Sequence, residues 1–166
     1  MKTLKLIIFV FISIALNGCE GKLDLTNPNK PTGETFWKTE ADFRQAMASC
    51  YTPLKNWNGG YYGTRGVMMR IARADEVEFR NDISEVFQAC YFTNTNGNTL
   101  SQGMFYQFYN ALYRTNSIMQ KLDEKGTEFS ADFVNKVKAE CLFIRGFYLF
   151  QLGKEFKDVP LRLTAS

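Results

Sequence analysis

A glycine-rich stretch, residues 55–66, concentrates the side chains best suited to binding a polar ligand. It holds four glycines, three aromatic residues, two amides and one arginine. Aromatic rings on a loop can stack against sugar rings, and amides can hydrogen-bond to hydroxyl groups. The alternative is that the rings only pack the loop onto the core. The ligand-binding candidates in this stretch are Trp57, Asn58, Tyr61, Tyr62 and Arg65.

A second group of polar residues follows this loop, and it raises the question of catalysis. Asp75 lies among several arginines and is a further ligand-binding candidate, although such mixed charges more often form a solvated rim. Two carboxylates could serve a glycosidase if they were held about 5–9.5 Å apart. The residues available are Asp75, Glu76, Glu78 and Glu85, and nothing in the sequence fixes that spacing. We therefore predict a binding protein with no catalytic residue.

Other chemistries lack the residues that they require. The chain contains no histidine, which excludes imidazole-based catalysis, Ser-His-Asp triads and histidine-containing zinc sites within it. Beyond Cys19, the cysteines are Cys50, Cys90 and Cys141, and no two have the C-x-x-C spacing of metal or redox motifs. We predict no metal and no cofactor, and expect Cys50 and Cys141 to be small core residues.

The N-terminus has the features of a secretory signal. Two lysines precede an apolar run of eleven residues, and such a run spans only about 16 Å as a helix, against about 30 Å for a membrane core. Leu16-Asn17-Gly18-Cys19 has the spacing of a lipoprotein cleavage site. We predict a signal peptide at 1–18, acylation of Cys19 with chains such as palmitate, and a tether at 19–38. An ordinary signal with an incidental cysteine is the alternative.

Charge gives no indication of nucleic acid. Lys2 and Lys5 are two of the twenty basic residues, so removal of the signal leaves eighteen basic against seventeen acidic residues. A balance so close to neutral is not the basic footprint of a nucleic-acid-binding protein.

The rest of the chain has helical periodicity. Thr39 is a predicted N-cap, and Pro53 is predicted to end or kink the helix that follows. A second long helix is predicted from Ser101 to Gly126 and a third from a cap at Ser130, which together form an antiparallel hairpin. Residues 82–103 are predicted to be a loop.

The last helix, within 130–161, is the most apolar element. Nine of the twelve residues from Cys141 to Leu152 are apolar, which predicts burial on nearly every face. We expect the helix to end near Gly153 and Lys154. Arg145 needs a partner in such surroundings, and Gly146 is expected to permit a close helix crossing.

This helix carries a resemblance to the SusD/RagB family of outer-membrane lipoproteins. It is similar to the family pattern E-x-x-F-[IL]-R-[AG]-x-x-[YF]-F-x-L followed by F-G-D-V-P-L. Lys157 stands where the F-G-D-V-P-L segment of the family has glycine. Tyr109-x-x-Leu112-x-x-x-Asn116 is similar to the family's Y-x-x-I-x-x-x-N, and Asn116 is expected to be a buried amide that bonds to backbone. The residues of the structural motif are Glu140, Arg145, Gly146, Asp158 and Pro160.

The resemblance implies both a fold and a function. The fold is mainly α, with helical hairpins arranged like tetratricopeptide repeats and long irregular loops. The implied function is that of a cell-surface lipoprotein, anchored in the outer membrane, which binds a glycan or peptide nutrient and delivers it to a SusC-like TonB-dependent transporter. The alternatives are a membrane-anchored helical scaffold that binds only a protein partner, and a glycoside hydrolase. No nucleic acid is implied.

Family members are several times longer than this chain. We therefore expect residues 39–166 to be the N-terminal helical domain of such a fold, incomplete at its C-terminus. The absent part is expected to hold further helices and half of the ligand site.

Overall fold

Helices make up most of the part of the chain that the computed structural model describes, residues 36–57 and 59–165. The predicted signal peptide, Cys19, most of the predicted tether and Asn58 lie outside these residues. No strand occurs within the described ranges, which confirms the mainly α class. The elements are α1 (Glu40–Tyr51), a 3₁₀ turn (Thr52–Lys55), α2 (Thr64–Ile71), α3 (Ser84–Cys90), α4 (Thr99–Lys125), a 3₁₀ turn (Gly126–Glu128) and α5 (Ala131–Phe156).

Local capping fixes the start of α1. Thr39 Oγ1 accepts a hydrogen bond from the Asp42 amide at 3.3 Å, and the Asp42 carboxylate accepts one from the Thr39 amide at 2.8 Å. This reciprocal pair satisfies amides that a helix N-terminus otherwise leaves unpaired. The helix ends at Tyr51, two residues before Pro53. Ser130 caps α5 by accepting an amide hydrogen bond at 3.3 Å, so the caps predicted at Thr39 and Ser130 are confirmed, whereas the one predicted at Ser101 is not.

Helices α4 and α5 form the predicted antiparallel hairpin. Phe105, near the start of α4, meets Phe156 at the end of α5 with ring centroids 5.3 Å apart. In the middle of both helices, Arg145 Nη2 donates a hydrogen bond to Asn116 Oδ1 at 2.7 Å. These two contacts set the register of the pair. Among the described residues, none of the helices combines the length and apolarity that crossing a bilayer requires.

Helix α1 packs across this hairpin and closes the core. Phe43 and Cys50 of α1 are fully buried, and Tyr148 of α5 donates its hydroxyl hydrogen bond to the Cys50 carbonyl at 2.9 Å. Burial raises the pKa of Tyr148, that of Cys141 to about 12 and that of Cys50 to about 11. Cys50 and Cys141 are buried, which confirms the prediction that they are small core residues, and both are free thiols.

The predicted loop at 82–103 is wrong in part, because it contains α3 and the start of α4. Helix α3 has only seven residues, and its stability comes from the complete burial of Val86 and Ala89. Helix α4 begins at Thr99, not after Ser101, since the true N-cap is Asn98, whose side chain accepts a hydrogen bond from the Ser101 amide at 3.1 Å.

Three predictions for α5 are also wrong. The helix continues through Gly153 to Phe156, because glycine lowers helix stability without ending a helix. Gly146 makes no close crossing: it lies on an exposed face, and a Cβ atom built there meets nothing within 4 Å. Leu142, Phe143 and Phe150 are 49%, 70% and 66% exposed, so the predicted burial of nearly every face is not found within the described residues.

The chain leaves α5 through a strained residue and returns along α4. Lys157 has φ of +62°, a region that L residues rarely occupy. Beyond it, Tyr109 donates a hydroxyl hydrogen bond to the Pro160 carbonyl at 2.7 Å. Asn116 Nδ2 donates to the carbonyls of Arg162 and Thr164 at 3.1 and 2.9 Å. The predicted role of Asn116 as a buried amide that bonds to backbone is thereby confirmed.

Lys157→Gly should raise the free energy of unfolding by about 0.5–1 kcal/mol in urea denaturation. Glycine removes a strain of about 1–2 kcal/mol at positive φ, and its greater freedom in the unfolded chain offsets part of this gain. Lys138→Gly, at an exposed position inside α5, is the control and should cost about 1 kcal/mol. A loss of stability in both variants would contradict the assignment of strain.

Candidate functional site

The four glycines of the loop at 55–66 allow the backbone to fold tightly on itself. A Cβ atom at Gly63 would lie 1.9 Å from the Asn56 carbonyl oxygen, and one at Gly66 would lie 2.1 Å from that of Gly60. Only glycine permits such approaches. Gly66 nevertheless lies inside α2, which begins at Thr64 within this stretch.

Tyr61 of this loop is held by packing. The Arg70 guanidinium lies 4.0 Å from the Tyr61 ring centroid and donates a hydrogen bond to the Tyr61 carbonyl. Phe147 meets the ring edge-on at 5.6 Å, and Lys154 Nζ lies 5.4 Å from its centroid. The Tyr61 ring thus packs the loop against α2 and α5. For this ring, the structure supports the alternative that the aromatic residues only pack the loop onto the core.

The other residues predicted for a ligand site lie at the surface. Trp57 and Tyr62 are 60% and 65% exposed, and Arg65 and Asp75 are exposed as well. The Arg65 amide donates a hydrogen bond to the Trp57 carbonyl at 3.4 Å, while Tyr62 meets Tyr61 ring to ring at 4.9 Å. Tyr62 also lines an apolar pocket of about 220 Å³ whose other lining residues are Tyr51, Leu54, Phe143, Ile144, Phe147 and Tyr148.

A larger cleft, of about 520 Å³, lies where α4 begins and α5 ends. It has two aromatic rings and a surround of amide, hydroxyl and charged side chains, the composition expected of a site for a polar, ring-shaped ligand. Of the residues predicted for a ligand site, none of those that the structure describes lines it. Its lining residues are Arg73, Asn94, Thr95, Asn96, Asn98, Ser101, Gln102, Phe105, Glu155 and Phe156.

An ion pair frames one side of this cleft. Arg73 Nη1 lies 2.7 Å from Glu155 Oε2, and the Glu155 side chain is only 4% exposed. Lys154 Nζ approaches the same carboxylate at 3.6 Å. Because Glu155 is near the end of α5 and Arg73 follows α2, the pair ties the segment after α2 to the hairpin.

Another part of the cleft lining is held in place by Asn98, which is 1% exposed. Its Nδ2 donates hydrogen bonds to the Glu85 carbonyl at 3.0 Å and to Gln88 Oε1 at 3.1 Å. Gln102 Nε2 donates to the Asn96 carbonyl at 2.6 Å. These bonds fix the turn at 94–97, whose exposed amides and hydroxyl face water. The amide-rich run was visible in the sequence, but there it indicated only part of the predicted loop at 82–103.

The glycine-rich loop and the cleft meet at the same end of the hairpin. A Cβ atom at Gly59 would lie 2.4 Å from the backbone of Gly103 and Met104, so the loop lies directly against the first turns of α4. Gln102, one residue earlier, lines the cleft. The exposed rings of the loop, those of Trp57 and Tyr62, thus belong to a segment that borders the cleft.

The pKa of Glu85 is shifted in the opposite direction from that of a catalytic acid. Hydrogen bonds from its own backbone amide and from the hydroxyls of Thr99 and Ser84 lower the pKa of this carboxyl. A general acid in a glycosidase needs a raised pKa, so Glu85 is suited to capping the start of α3 and not to donating a proton.

Comparison with known proteins gives the family. A SusD-like family model described as "Starch-binding associating with outer membrane" matches residues 23–166. The chain belongs to the SusD-like family. It is 24% identical to SusD-like protein P25 of Formosa agariphila over 168 residues, which cover 96% of this chain and 31% of that protein.

A solved relative gives the fold. The chain is 77% identical to a SusD superfamily protein from Bacteroides vulgatus, whose crystal structure it matches with a TM-score of 0.77 over 80% of this chain and 29% of the other. The fold is accordingly the helical, tetratricopeptide-like one of the SusD superfamily, as the sequence resemblance implied. The chain spans about three-tenths of the length of both relatives.

Glu155→Gln should lower the free energy of unfolding by about 1–3 kcal/mol, because it removes a charge-assisted bond from a buried position and leaves Arg73 without its counter-charge. Urea denaturation measures the change. Glu78→Gln, at an exposed carboxylate, is the control and should change stability by less than about 0.5 kcal/mol. Equal effects of the two substitutions would show that the Arg73–Glu155 pair does not hold the cleft.

Proposed function

We propose that this chain forms the glycan-binding part of an outer-membrane lipoprotein that passes its ligand to a SusC-like TonB-dependent transporter. The observation that carries the proposal is the cleft of about 520 Å³, with its two phenyl rings and its rim of amides, in a chain of the SusD-like family. The description of that family refers to starch binding and to the outer membrane.

The chemistry of the cleft suits capture without bond cleavage. Sugar hydroxyls can exchange hydrogen bonds with Asn94, Asn96 and Gln102, while a sugar face can lie against Phe105, which is 38% exposed. The Arg73–Glu155 pair offers both a donor and an acceptor side to the same cleft. Affinity arises from several such contacts, and none of them requires a reacting group.

Attachment to the membrane is proposed through Cys19, which the sequence places in a lipoprotein cleavage site. Two or more acyl chains give stable anchoring where one chain does not. Mass spectrometry of the protein isolated from membranes should find an acylated Cys19 at the N-terminus, and Cys19→Ala should appear in the soluble fraction. Membrane retention of the unacylated variant would contradict this mode of attachment.

A second candidate function is a scaffold that binds only a protein partner, and one observation favours it. The outer face of α5 exposes Leu142, Phe143 and Phe150, and the pocket lined by Tyr62 continues that apolar surface through Phe143. Exposed apolar patches of this kind mark contact sites for other polypeptides. Binding of a protein partner at this surface, without binding of a glycan in the cleft, would indicate the scaffold function.

Calorimetric titration of the soluble Cys19→Ser chain with starch-derived and other oligosaccharides, and with peptides, tests the proposal. Oligosaccharide binding is expected, and Phe105→Ala or Gln102→Ala should weaken it about 5- to 10-fold, since each removes about 1 kcal/mol of stacking or hydrogen bonding. Tyr113→Ala, which truncates an exposed ring elsewhere on α4, is the control. Absence of binding across all classes would favour the scaffold.

The same titration distinguishes the cleft from the glycine-rich loop. Trp57→Ala should weaken binding by about 1 kcal/mol or more if the loop stacks on the ligand as the sequence indicates. An unchanged affinity in Trp57→Ala, together with a loss in Phe105→Ala, would limit the site to the cleft.

A further inference from the structure

Arg145 has a charge that no carboxylate neutralises among the described residues. Its Nη2 donates a hydrogen bond to the neutral Asn116 Oδ1 at 2.7 Å and lies 2.9 Å from the Met119 thioether sulfur. Its Nε is buried and has no hydrogen-bond partner. A guanidinium in such surroundings ordinarily has an anionic partner, because removing charge and N–H groups from water is costly.

This guanidinium lines a cavity of about 270 Å³ between α4, α5 and the returning segment 163–165. The other residues that line it are Asn116, Met119, Gln120 and Asp123. The Asn116 amide is already committed, since it donates to two backbone carbonyls and accepts from Arg145. Asn116 therefore orients the guanidinium and cannot neutralise it.

We propose that the Arg145 cavity is a binding site for the carboxylate group of a small ligand. Arginine presents a planar set of N–H donors that matches a carboxylate, and such charge-assisted bonds are among the strongest in proteins. The volume suits a molecule of the size of a single sugar acid and is below that of a site for a drug-sized ligand. The site is separate from the cleft at 94–105, with which it shares no lining residue.

The negative charge of Asp123 provides a second way to test whether the cavity binds an anion. Its carboxylate is exposed at the rim of the cavity, and it forms no ion pair with Arg145 in the described part of the chain. It therefore repels an arriving anion, although solvent weakens the repulsion. Removing the charge of Asp123 should strengthen binding, whereas removing that of Arg145 should weaken it.

Galacturonate and galactose are the matched probes, because they differ at one carbon, which carries a carboxylate in the first sugar and a hydroxymethyl group in the second. Titration of the Cys19→Ser chain, followed by nuclear magnetic resonance, should show saturable binding of galacturonate and not of galactose at the Arg145 cavity. Arg145→Gln should weaken galacturonate binding at least about tenfold, and Arg145→Lys should weaken it less. Asp123→Asn should strengthen it, and added salt should weaken it.

Tyr113→Ala, which truncates an exposed ring on α4 outside both sites, is the control and should leave galacturonate binding unchanged. If Arg145→Gln fails to fold, Arg145→Lys and Asp123→Asn still decide the question. The proposal is overturned if galacturonate does not bind, if galactose binds equally well at this cavity, if neither Arg145 variant changes the affinity, or if Asp123→Asn weakens it. None of these outcomes depends on whether the cleft binds a glycan.

Discussion

The antiparallel packing of α4 against α5 is the interaction on which the rest of the molecule depends. Its register is set at one end by Phe105 against Phe156 and in the middle by the hydrogen bond from Arg145 to Asn116. Asn116 also holds the returning segment through two backbone carbonyls. A shift of one turn, about 5.4 Å, would separate the two phenyl rings and remove one side of the cleft. The cleft is therefore a consequence of the hairpin register.

Shorter elements attach to this hairpin through polar contacts and through glycine. Glu155 at the end of α5 holds Arg73, and Asn98 at the start of α4 holds α3 and the turn after it. The glycine-rich loop reaches the backbone at Gly103 because Gly59 has no side chain. A cleft with many polar lining residues thus lies at the end of the hairpin where these elements meet, and the proposed glycan binding depends on that convergence.

The sequence predicted the elements whose signals are local. Thr39, Pro53 and Ser130 act within a few residues of themselves, and the apolar stripes of the long helices need only a partner to pack against. Prediction from the sequence failed where contacts between residues far apart in the chain determine the structure. Helix α3 forms because Val86 and Ala89 are buried by other elements, and Gly146 faces outwards because packing left that side of α5 open. A helical period alone does not tell which face of an apolar helix is covered.

The candidate site was likewise predictable only where its signals are local in the sequence. The sequence identified the aromatic loop, but it could not separate Tyr61, which Arg70 and Phe147 hold in place, from the exposed Trp57 and Tyr62. It missed the cleft, because Arg73, Asn94 and Glu155 are far apart along the chain and meet only through the fold.

A crystal structure of the chain with a bound oligosaccharide tests the central claim most directly. The account predicts that the sugar lies in the cleft, against Phe105 and within hydrogen-bond distance of the amides at 94–102. Sugar bound elsewhere on the surface, with the cleft filled only by water, would contradict it.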